Sequence, residues 1–176
     1  MIMPRGQELL LPASPWFIWA TLIGNLFLNM ILAMWADAPS AWVPDLLCVV
    51  LAFWTIHQPR FVGVAIAFGF GIAMDIHHTS LLGQHALSYT WVSFCAIMIH
   101  RRLLWFPLMQ QAAQVFPLFV LSHASSLVVQ LLAGHHWPGW GLLLAPCIEA
   151  LLWPIVSILL LAPQRRAHDP DLDRPI

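Results

Sequence analysis

Glu149 is the residue whose type and setting most invite chemistry. It lies in an apolar run with no Arg or Lys at comparable depth, so its carboxyl must find a partner such as Gln130 or His123, face water, or carry a proton. Close to it in character is a polar row, Gln114, Leu118, Ser122, Ser126 and Gln130, spaced four apart and flanked by Gln110, Gln111, His123 and Ser125. Residues at that spacing share one helix face. Such a face either lines a solute cavity with Glu149 or, as is commoner, bonds one helix to another. His77, His78, His135 and His136, with Asp75 near the first pair, raise the question of a metal. No HxxxH or HExxH spacing occurs, and adjacent histidines point apart on most backbones, so no metal or cofactor is expected. GxSxG, Walker A and paired-carboxylate patterns are missing too, which disfavours an enzyme. Cys48, Cys95 and Cys147 sit apart in apolar runs and read as packing residues.

The elements that hold these residues are set by composition. The 176 residues are 60% hydrophobic and 9% charged, with ten Trp and one Tyr, and the mean hydropathy is +0.79. A soluble domain needs about a quarter of its residues charged to cover its surface. This chain instead requires a bilayer. Its near-neutral charge and scattered basic residues offer no groove for nucleic acid.

Six apolar stretches separate at Pro, Gly and charge clusters: Trp16 to Trp35, Pro44 to Ile56, Phe61 to Ile76, Leu81 to Ile99, Trp105 to Ala133 and Trp140 to Leu161. The fold class is therefore all-α, a polytopic membrane bundle of six transmembrane helices. The first stretch is too long for a signal peptide, despite Ala36-Asp37-Ala38, and is read as a permanent span. The second and third are too short to cross a ~30 Å hydrocarbon core upright. Pro117 should kink the fifth span, and Pro146 and Pro154 the sixth. All seven basic residues are arginines, and Arg5, Arg60, Arg101, Arg102, Arg165, Arg166 and Arg174 fall on one side of six spans. The positive-inside rule then makes both termini cytoplasmic. Residues 1–15 form a short cytoplasmic segment, 16–162 the membrane domain, and 163–176 a tail expected to be disordered.

In the third span, Gly63, Ala67 and Gly71 recur every fourth residue, and Ala65, Gly69 and Ala73 repeat the pattern on roughly the opposite side. Two small faces predict two close neighbours and an interior position, although Gly and Ala are common in membrane helices anyway. Asp75, near the outer end of that span, is expected to accept backbone amides in the following turn as a structural cap.

The order of short motifs resembles the MreD family of rod shape-determining proteins, of proteobacterial type. These are Val43-Pro44-Asp45-Leu46-Leu47, Phe53-Trp54, Gln58-Pro59-Arg60, Val62-Gly63 through Gly69-Phe70-Gly71 to Asp75, and Ser80-Leu81-Leu82-Gly83-Gln84-His85-Ala86-Leu87. Phe106-Pro107-Leu108-Met109-Gln110-Gln111-Ala112 and Leu152-Trp153-Pro154 follow. Within them Pro44, Asp45, Gly63, Ala67, Gly69, Gly71, Asp75, Gly83 and Pro154 are the candidates for helix packing and turns. The resemblance implies a non-catalytic subunit of the inner membrane that binds MreC in the cell-wall elongation complex. MreB, directly or through the complex, RodA and a class B penicillin-binding protein would be its other partners, with membrane lipids around it. It also implies the fold of the substrate-binding subunits of energy-coupling factor transporters. A solute-capture subunit whose polar cavity holds Glu149 is the alternative, and a conduit for lipid-linked precursor a weaker third.

Overall fold

The computed structural model describes residues 13–35, 43–77, 81–134, 136–137 and 139–164. Six α-helices make up most of them: α1 Pro15–Trp35, α2 Leu46–His57, α3 Val64–His77, α4 Gln84–Leu103, α5 Leu108–Leu132 and α6 Leu144–Leu161, the last entered through a 3₁₀ turn over Trp140–Leu143. Helix starts follow local chemistry. Ser14 Oγ accepts the amide of Phe17 at 3.3 Å, with Pro15 already placed as the first helical residue. Asp45 caps α2, accepting the Cys48 amide at 3.0 Å. Gln58-Pro59 stops it.

The bundle is a membrane protein turned inside out relative to a soluble one. Phe27, Ile31, Met34, Leu132, Leu151, Ile155 and Leu159 are exposed, while Asn29, Thr55, Asp75, Ser93, Ser122, Glu149 and Ser157 are buried. Three helical segments, Pro15–Met34, Leu108–Leu132 and Trp140–Gln164, are long and apolar enough to cross a bilayer. At 12 and 14 residues, α2 and α3 reach only about 18 and 21 Å. Their shortness suits their position. Every residue of α2 from Leu47 to Ile56 is buried, so this helix is wrapped by protein all round. α4 has the length to span, but carries Gln84, His85, Ser88, Thr90, Ser93, His100, Arg101 and Arg102. It can do so because α2, α3 and α5 all pack against it.

The centre is aromatic. Trp54, Trp153, Tyr89, Phe53 and Phe119 are the largest fully buried side chains. Trp153 of α6 meets Phe53 of α2 at 6.1 Å and Phe119 of α5 at 6.3 Å between ring centroids. Trp54 donates its indole N–H to Thr21 Oγ1 at 2.9 Å, tying α2 to α1.

Three expectations change. α3 has one closely packed small face rather than two. Ala67 and Gly71 are buried against neighbours, but Ala65 and Gly69 are exposed, and a Cβ built on Gly69 would meet nothing within 4 Å. Gly71 marks the closest approach, since a Cβ there would lie 2.3 Å from Ala86 Cα. Pro146 is the third residue of α6, where an amide has no intrahelical acceptor, so it gives no cause for a bend; Pro154 is the proline inside that helix. The fourth span begins at Gln84 rather than Leu81, because Leu81 to Gly83 form the turn that leads into it. The segments 1–12 and 165–176, with Arg5, Arg165, Arg166, Arg174, His78 and His135, lie outside the described residues.

Candidate functional site

Asp45 sits at the N-terminus of α2, the element buried on all sides. Its position there places a carboxylate against the positive end of that helix dipole. Oδ1 accepts the Cys48 amide and, at 2.8 Å, the side-chain amide of Asn29 on α1; Oδ2 accepts the hydroxyl of Tyr89 on α4. The Asp45 backbone N–H donates to Glu149 Oε1 of α6 at 2.8 Å, and His123 Nε2 of α5 lies 2.8 Å from the same oxygen. Cys48 Sγ contacts Ser122 Oγ of α5 at 3.7 Å. One carboxyl-centred knot therefore joins α1, α2, α4, α5 and α6.

A second cluster adjoins it. Asp75, fully buried at the end of α3, accepts the amides of Gly83 and His85 at 2.8 Å and of Ala86 at 3.2 Å, and its Oδ1 lies 2.8 Å from His85 Nδ1. Asp75 thus caps α4 across the turn. The amides involved are those of 83, 85 and 86, beyond the Thr79-Ser80 stretch expected from sequence, which lies outside the described residues. Gly83 has φ +104°, a left-handed conformation that side chains other than glycine's rarely adopt, and this aims its N–H at the carboxylate. The His85 ring then packs edge-on against Tyr89, 6.0 Å between centroids, linking the two carboxylates through one aromatic contact.

These contacts use the early turns of α2, α4 and α6 and the later halves of α1, α3 and α5, which is what helices running in alternate directions produce. Arg60 and the Arg101-Arg102 pair, after α2 and at the end of α4, belong to the opposite end of the bundle.

Part of the polar row on α5 bonds that helix to its neighbours. Ser125 and Ser126 lie 2.8 and 2.7 Å from Ser88 Oγ of α4, and Ser122 and His123 join the Asp45 knot. Gln111 of the flank bonds the Phe106 carbonyl at 2.8 Å. Gln114 and Gln130 are half-buried, and His123 rather than Gln130 is the partner of Glu149. Pro44 precedes the α2 cap, Gly63 is half-buried before α3 with only the Pro59 carbonyl within 4 Å of a built Cβ, and Pro154 is half-buried within α6. Among the described residues no group of three or more His, Cys, Asp or Glu could hold a metal ion.

Asn29, Tyr89, Ser88 and His85 are the members that sequence reading did not single out, and Cys48 read there only as a packing residue. One signal was available for Tyr89, the sole tyrosine in a chain with ten tryptophans. The Asp45–Glu149 contact joins positions 104 residues apart, and no local spacing reports it.

A family model described as rod shape-determining protein MreD matches residues 13–162, from just before α1 to the end of α6. The chain belongs to the MreD family. Membership gives it a role in determining rod shape, and the Asp45 knot, the Asp75 cap and the Gly71 crossing all lie within the matched residues 13–162. MreD proteins are described by that structural role, not by a catalysed reaction. No curated protein and no solved structure matches the chain. The likeness to energy-coupling factor subunits accordingly rests on the family resemblance alone.

Proposed function

We propose that this chain is a non-catalytic subunit of the cell-wall elongation complex that holds MreC by helix-to-helix contact within the inner membrane, both of its own termini lying in the cytoplasm. MreB beneath the membrane, and RodA with its class B penicillin-binding partner, join it through that complex. The observation that carries the reading is the distribution of polar groups. In a capture subunit such groups would be left free to face an outward cavity; here Asp45, Glu149, His123, Tyr89, Asn29, Ser88, Ser125 and Ser126 are engaged with one another across helices. What remains for an outside partner is apolar helix surface, together with the open small face of α3 at Ala65 and Gly69.

Depleting the protein from a rod-shaped host and scoring both cell shape and MreC recovery tests this. Rounded cells, and MreC retained with the tagged protein through detergent solubilisation, are the expected pair. Normal rods with defective uptake of a vitamin or metal would replace the adaptor with the solute-capture reading.

A further inference from the structure

One face of α6 carries an unusual sequence of side chains. Glu149, Trp153 and Ser157 recur every fourth residue, and each is completely buried. Each also presents a polar atom with no protein partner among the described residues: Glu149 Oε2, Trp153 Nε1 and Ser157 Oγ. The contrast within the same molecule is sharp. Glu149 Oε1 has two partners, and Trp54 Nε1, equally buried, donates to Thr21. The stripe faces protein rather than lipid, since the Trp153 ring rests between Phe53 of α2 and Phe119 of α5.

Three unpartnered polar atoms in one row are costly to keep dry, and each loses the hydrogen bond it would make in solvent. Their chemistry is complementary. A carboxyl oxygen accepts, an indole N–H only donates, and a hydroxyl does both. Four residues of helix rise about 6 Å, which is close to the span of one water bonded on both sides at about 2.9 Å. We propose that Glu149 Oε2, Trp153 Nε1 and Ser157 Oγ hold a short file of water molecules along the inward stripe of α6, between that helix, α2 and α5. The ligand is water because the row supplies single hydrogen-bonding atoms one turn apart, each able to serve one small molecule that donates and accepts. The file extends the Asp45 knot from the early turns of α6 toward the arginine-bearing end, and gives Glu149 Oε2 the hydrogen-bonded contact that the surrounding helices give only to Oε1.

The test uses the full chain in lipid nanodiscs with ¹⁵N-labelled tryptophan, the Trp153 indole being assigned by its loss in Trp153→Phe. Nuclear Overhauser transfer from water to indole protons is then measured. Trp153 is expected to give a cross-peak at the water frequency, and Trp54 none. Ser157→Val, which keeps the side chain small and removes the hydroxyl at one end of the file, should weaken the Trp153 cross-peak while leaving the Trp54 resonance in place as proof of folding. A Trp153 indole as silent as Trp54 would overturn the proposal, and so would a Trp153 cross-peak untouched by Ser157→Val.

Discussion

Removing Asp45 leaves three donors from three helices without an acceptor. Asp45→Ala uncaps α2 and strands the Asn29 and Tyr89 donors, and a lost cap together with donors left unpaired costs about 2 to 3 kcal/mol. Tyr89→Phe removes a single interhelical bond, and its cost should stay near 1 kcal/mol, as is usual within membranes. Thermal unfolding in detergent, followed by tryptophan fluorescence, should rank wild type above Tyr89→Phe and Tyr89→Phe above Asp45→Ala. Equal losses for the two variants would mean that the cap and the Asn29 bond contribute nothing. From sequence, Asp45 reads as one residue of a short motif, whereas Glu149 stands out by depth alone. The partners of Asp45 come from α1, α2, α4 and α6, and only folding brings them together. Asp75 was readable as a cap because a cap is a local device, although the amides it accepts lie slightly further along the chain.

At the scale of the helix, α3 supplies a paired comparison. A methyl at Gly71 would run into the Ala86 backbone, and backbone cannot step aside as a side chain can. Gly71→Ala should therefore lower the unfolding midpoint markedly, while Gly69→Ala, in open space, leaves it unchanged or raises it slightly through helix propensity. If the open face meets MreC, the bulkier Gly69→Leu weakens MreC recovery with the unfolding midpoint intact. The apolar runs and their Pro and Gly breaks made all six helices legible, since a bilayer demands length and hydropathy of each span. The packing of α3 was legible only by half. A four-residue repeat of small residues says that a neighbour can approach, not that one does, and Ala65 and Gly69 present the same pattern as Ala67 and Gly71 while facing outward.

For the whole molecule, the alternation of helix direction implied by the two carboxylate clusters leaves Arg60 and Arg101-Arg102 at one end, in keeping with arginines confined to one compartment. Cysteine-accessibility labelling of Arg60→Cys and Arg101→Cys, in a background where Cys48, Cys95 and Cys147 are replaced by alanine, should find both protected from an impermeant reagent in intact cells. Both should react once the membrane is opened. Polar groups turned inside and apolar surface left outside make a scaffold for other helices, and that is the central claim. In vivo photocrosslinking from exposed positions on α1, α3, α5 and α6 tests it most directly: the account predicts adducts with MreC from one contiguous face that includes Gly69, and adducts with lipid alone at every position would contradict it.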